Sequence, residues 1–170
     1  IANYSNHGTS ILVSAPASNL TTDITGSDGF VSGSYIQGFN GTSAATPIVS
    51  GVVALMMEAN ENLGWRDVQN ILATSASHTG SNWGAAAMQY EIGDWFDNGA
   101  DNWNGGGHSV SLSYGFGIVD AFAAVRMAEV WSEFNVAPST LSNELTEQIS
   151  GAPVVLVDGS TVQDTLSCTA

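Results

Sequence analysis

The stretch that most restricts the fold is Ile48-Val49-Ser50-Gly51-Val52-Val53-Ala54-Leu55-Met56-Met57. It is apolar at nearly every position, so a helix built on it has no polar face and must lie in a core. Its start is marked as well: Thr42 and Ser43 can cap a helix, and Pro47 is tolerated in a first turn. Gly51 lowers helix propensity and reads as a point of close packing. A second helix is expected over about 64–76, where Trp65, Val68, Ile71 and Leu72 recur at amphipathic spacing. A third follows Tyr114-Gly115-Phe116-Gly117-Ile118-Val119-Asp120-Ala121 and runs to about Trp131, with Val125, Ala128 and Trp131 on one stripe. Residues 1–40 read as short strands and loops with apolar runs at 11–13 and 30–31, and 77–113 as a long surface excursion.

Composition decides what such a chain can meet. Apolar residues are 44% of the 170, enough for a core, while only 11% are charged, so Ser, Thr, Asn and Gly must cover much of the surface. Sixteen acids face two bases, Arg66 and Arg126, for a net charge of −14. That balance excludes nucleic acid and repels anionic membrane surfaces, and it attracts a metal ion or a basic peptide. The acids are spread along the chain, which favours the acidic surface of a protein kept soluble in salt over a dedicated basic-substrate site. No apolar run is read as membrane-spanning and no signal-peptide pattern opens the chain, so no membrane insertion is expected. Cys168 is the only cysteine, which leaves the redox compartment open. The strand-like Ile11-Leu12-Val13 so near the start suggests a piece of a longer polypeptide. Past Phe134, Pro138, Ser139, Thr140 and Ser142 suggest a linker. Val154-Val155-Leu156-Val157 and Thr161-Val162 then read as strands around an Asp158-Gly159 turn. The expected division is 1–133 and an incomplete β domain over 134–170.

The chemistry is concentrated in Asn40-Gly41-Thr42-Ser43-Ala44-Ala45-Thr46-Pro47-Ile48-Val49-Ser50-Gly51. A serine at a helix N-terminus sits among unpaired N–H groups at the positive end of the dipole. Those features stabilise the oxyanion of an acyl-transfer intermediate, and the Ser43 N–H is itself a candidate donor. Gly41 admits a close substrate backbone, and Ala44 and Ala45 leave room beside the nucleophile. On local physics alone, a plain cap on a buried helix is the commoner arrangement.

The wording of the motif changes that balance. Gly-Thr-Ser-Ala-Ala-Thr-Pro followed by Val-Ser-Gly resembles the active-site serine signature of the subtilisin-like peptidases. Tyr4-Ser5-Asn6 and Val13-Ser14-Ala15-Pro16 look like the family's segment upstream of that serine. Leu55-Met56-Met57-Glu58-Ala59-Asn60, Leu63-Gly64-Trp65-Arg66-Asp67-Val68-Gln69 and the Tyr-Gly-Phe-Gly stretch are similar to the kexin and proprotein-convertase branch. The resemblance covers about 1–131. It implies an α/β fold, the C-terminal part of a parallel-sheet, three-layer subtilisin-like domain, followed by the beginning of a β-sandwich P domain. It implies a serine-type endopeptidase, secreted or at the cell surface, acting on peptide or protein substrates. Ser43 would be nucleophile and backbone oxyanion donor, with Gly41 and Thr42 binding substrate. The histidine base, orienting aspartate and oxyanion asparagine would lie upstream of Ile1. The alternatives are an inactive subtilase-like scaffold or binding domain, and a structural domain in which Ser43 only caps a helix.

Other polar residues carry less. His7-Gly8-Thr9 mimics the family's histidine motif, but His7 precedes a strand-like run where the family's histidine opens a helix, so a surface histidine is expected. Leu112 occupies the place where convertases often carry a histidine before Tyr-Gly-Phe-Gly. His78 lies in a polar loop with no evident partner, and the three histidines and single cysteine have no zinc spacing, so no metal ligand is assigned. Asp94, Asp97, Asn98, Asp101, Asn102 and Asn104 offer oxygen ligands of the type calcium favours, though an acidic solvated loop is the simpler reading. The resemblance implies a structural calcium whose ligands are not located.

Overall fold

The computed structural model describes residues 1–93, 95–97 and 107–134, with only the backbone of Phe134. The expected β domain over 135–170 and nearly all of the oxygen-rich loop lie outside them. Within them the chain is mixed α/β. Strands β1 (Ser18–Thr22) and β2 (Tyr35–Asn40) form an antiparallel ribbon and lead into helix α1 (Thr42–Ala59). Helix α2 (Trp65–Ser75), the short antiparallel pair β3 (Phe96–Asp97) and β4 (Ser109–Val110), and helix α3 (Ala121–Phe134) follow.

The apolar run forms α1 as expected, but its cap is different. Gly41 is the N-cap residue, and neither Thr42 nor Ser43 makes a side-chain cap bond. The reason is steric: Gly41 lies at φ 100°, ψ 170°, which a residue bearing a Cβ avoids. Only one face of α1 is buried, through Ala44, Val52 and Met56. Val52 and Met56 meet Ile71 and Leu72 of α2 and Ala124 and Ala128 of α3 in the core, with Val49, Val53, Val125 and Trp131 half-buried around it. Gly51 is exposed, and a Cβ there would meet nothing within 4 Å, so the expected close packing is absent among the described residues. Trp65 also departs from its expected inward face; it is exposed, with the Arg66 guanidinium 4.3 Å from its ring centre. By length and composition α1 is, among the described residues, the one helix that would reach across a bilayer, against the sequence expectation. Its packing on α3 makes it a core helix instead.

Polar ties fix the three helices together. The buried Asp67 carboxylate accepts the Gly64 N–H at 2.8 Å, closing the first turn of α2, and the Trp131 indole N–H of α3 at 2.9 Å. Asn60 ends α1 and donates from Nδ2 to the Ala128 carbonyl at 2.9 Å.

The parallel sheet is represented by a short seam. Ile11-Leu12-Val13 forms no strand, but Ser14 pairs in parallel with Ile118, which also pairs with Ser77. Gly115 and Gly117 permit this: a Cβ at the first would strike the Leu12 carbonyl, and at the second the Ser77 carbonyl. The apolar run at 30–31 is no strand; Phe30 sits in a bend and is 92% exposed. Asp23 instead organises that turn by accepting the Ile24 and Val31 N–H groups.

The fold makes Met56, with no exposed surface, and Leu55, 50% exposed, an informative pair. Met56→Ala should cost about 2–5 kcal/mol in denaturant unfolding, and Leu55→Ala within about 0.5 kcal/mol of nothing. Equal losses would show that the core is elsewhere.

Candidate active site

Ser43 stands one residue inside α1, in its first turn and exposed. The Gly41 carbonyl accepts the Ala44 N–H at 3.0 Å and the Ala45 N–H at 3.3 Å, which starts the helical ladder beyond Ser43. Among the described residues neither the Ser43 N–H nor its hydroxyl has a hydrogen-bond partner. An unpaired N–H at the positive end of an 18-residue helix, beside an exposed hydroxyl, is the arrangement that oxyanion stabilisation needs. Gly41 and Thr42 flank it, Gly41 half-buried and Thr42 exposed. A cleft of about 250 Å³ runs along this end of α1, lined by Tyr4, Ser5, Val13, Ala15, Thr42 and Ala45 among others. It is smaller than the ~300–1,000 Å³ sites that hold a whole small ligand, and fits a side chain or two.

No base is brought to Ser43 by the described residues. His7 is half-buried rather than superficial, with Nδ1 3.2 Å from the Ser113 hydroxyl. His78 does have partners: Nε2 lies 3.0 Å from the Ser81 carbonyl, and its ring is 4.5 Å from that of Trp95. His108 packs edge-on to Phe116 at 6.1 Å. Among the described residues no three histidine, cysteine or carboxylate side chains converge to hold a metal. No described residue is assigned to calcium.

A polar cluster that sequence reasoning missed lies next in sequence to Ser113, which lines the cleft. Glu91 accepts the Ser81 N–H at 3.0 Å, the Met88 N–H at 2.6 Å and the Tyr114 hydroxyl at 2.8 Å. Burial pushes its carboxyl up, but the hydrogen bonds from Met88, Tyr114 and Ser81 outweigh it and hold the group at about 2. Tyr114 is pushed up to about 12, first by burial and then by its bond to the Glu91 charge. Tyr114 stacks on the buried Trp95, with ring centres 6.3 Å apart. Its neighbour Ser113 donates or accepts at His7 and accepts the Ile92 N–H at 2.8 Å. The signal that could have found the cluster was the lone Glu91 in a polar loop preceding Tyr-Gly-Phe-Gly.

The geometry at Ser43 agrees with what the chain is similar to. A subtilase family (peptidase S8) model matches residues 1–117. The chain belongs to the subtilase family. Furin-1 of Xenopus laevis is 41% identical over 91 residues, 54% of this chain and 10% of that protein. Proprotein convertase subtilisin/kexin type 6 of Homo sapiens is 41% identical over 96 residues, 56% of this chain and 8% of that protein. Furin of Homo sapiens is 38% identical over 104 residues, 60% of this chain and 11% of that protein. A solved structure, the serine protease of Aeromonas sobria, is 29% identical with a TM-score of 0.48, over 66% of this chain and 23% of that one. The family match bears out the subtilisin-like α/β reading of the motifs, and the convertase relatives are consistent with the kexin-like branch. The chain spans roughly a tenth of the length of the curated relatives it matches.

The Glu91 cluster sets an acid limit on this subtilase scaffold. A carboxyl held below its ordinary 4.5 adds stability that is present above 4.5 and lost as pH falls toward 2. Unfolding free energy should therefore decline over that window, and Glu91→Gln should reduce the slope; an unchanged slope would remove Glu91 from the account.

Proposed function

We propose that Ser43 is the nucleophile of a serine endopeptidase of the convertase-like subtilase branch, acting within a longer polypeptide. The observation that carries this is the hydroxyl and N–H of Ser43 at the first turn of α1, both without a hydrogen-bond partner among the described residues. The hydroxyl would attack the peptide carbonyl, forming the Ser43 Oγ–carbon bond while a histidine takes its proton. The Ser43 N–H would donate to the resulting oxyanion. Gly41 and Thr42 would lie against the substrate backbone. That base would come from the rest of the polypeptide, because His7, His78 and His108 are engaged elsewhere. The exposed face of α1, where Leu55 is 50% and Met57 51% exposed, supports a larger domain that covers it. The proposed domain division, peptidase over 1–133 and a P-type β domain from 134, follows from the same resemblance. So do a secreted or cell-surface location, a structural calcium and peptide or protein substrates.

The inactive-scaffold reading gives the opposite outcome in one experiment. In the full-length protein Ser43→Ala should remove nearly all peptidase activity, of the order of 10³-fold or more, without loss of helical circular dichroism. His7→Ala should leave kcat/KM within a small factor of wild type. The 170-residue chain alone should show no turnover, since an unassisted serine hydroxyl stays protonated. Full activity in a folded Ser43→Ala protein would transfer the case to the scaffold reading; a loss in His7→Ala as deep as in Ser43→Ala would make His7 the base.

A further inference from the structure

The turn that presents Ser43 is held by a residue distant in sequence. The Gly41 N–H donates to the Tyr4 hydroxyl at 3.1 Å. The Gly41 carbonyl meanwhile accepts from Ala44 and Ala45, so the peptide units on both sides of this residue are held. Gly41 needs such a hold. A glycine at φ 100° has the widest conformational freedom of any residue, and its orientation sets where Ser43 begins the helix. Tyr4 is anchored independently of α1. The Gly8 N–H donates to the Leu112 carbonyl at 2.8 Å, His7 meets Ser113, and Ser14 joins the seam at Ile118. The Tyr4 ring also lines the cleft beside Thr42 and Ala45.

We infer that Tyr4 is a positioning residue for the nucleophile: its hydroxyl ties the Gly41 turn to the segment anchored at 112–118 and so fixes the direction of the Ser43 N–H and hydroxyl. This rests on the proposed function of Ser43. The tie carries no charge and runs from the Tyr4 hydroxyl to the protein's own backbone. Its removal should therefore loosen the alignment needed in the transition state and leave ground-state binding nearly intact.

The test uses the full-length protein as wild type, Tyr4→Phe and Ser43→Ala, with kcat and KM measured separately on one peptide substrate and the melting temperature of each. Phenylalanine keeps the ring and removes only the hydroxyl. The expected result is a kcat lowered about three- to tenfold, the scale of one net hydrogen bond, with KM within about twofold and an unshifted melting temperature. A wild-type kcat in Tyr4→Phe, beside an inactive Ser43→Ala, overturns this inference and leaves the function standing. Turnover that survives Ser43→Ala overturns both. A lower melting temperature with unchanged kcat would make Tyr4 a packing residue and also overturns it. A second readout needs no turnover: the Gly41 amide should exchange with solvent faster in the Tyr4→Phe chain than in the wild-type chain, and equal exchange rules the tie out.

Discussion

The backbone seam centred on Ile118 is the constraint on which the other elements depend. Ile118 exchanges bonds of 2.8 and 2.9 Å with Ser77, while Ser14 donates to Gly117 at 2.8 Å and accepts from Val119 at 2.8 Å. Those few bonds join three distant stretches: the segment leading from Tyr4, the end of α2 and the start of α3. They form only because Gly115 and Gly117 bring bare backbone against the Leu12 and Ser77 carbonyls. A side chain at either position would part the seam, and the loss would reach well beyond one contact.

The seam passes its position to the helices through Asp120. One carboxylate oxygen accepts the Ala123 N–H at 2.9 Å and caps α3; the other accepts the Ser77 hydroxyl at 3.0 Å. The Ala123 N–H and the Ser77 hydroxyl hold its carboxyl below the usual range. From α3, Ala128 receives Asn60 at the end of α1, and Trp131 reaches Asp67 in α2. The N-terminal turn of α1 is fixed from the opposite direction, through β2 and Gly41. A nucleophile needs both: a helix that does not rotate in the core, and a first turn whose unpaired N–H groups face outward.

Much of this was legible in the sequence. The helix over Thr42–Ala59 followed from an apolar run with a marked start, and the place of Ser43 followed from its motif. The hidden parts share a cause. Thr42 and Ser43 looked like caps because their side chains can serve, whereas the backbone at Gly41 took the role through a conformation closed to other residues. Trp65 fell on the apolar stripe of α2, yet a large ring beside Arg66 gains a cation–π contact without burial. Phe30 looked like a strand residue because apolar runs usually are; Asp23 made it a turn with two backbone hydrogen bonds. The partners of His7 and His78 come from contacts that no local spacing encodes.

The central claim is that Ser43, among all the serines of this subtilase, carries the covalent step. The most direct measurement is peptide mapping by mass spectrometry after the active full-length protein has reacted with a fluorophosphonate, which labels only an activated serine. The expected result is one adduct, on the peptide containing Gly41-Thr42-Ser43-Ala44, formed in step with the loss of turnover. An adduct on a different serine, or complete inactivation with Ser43 unmodified, would contradict it.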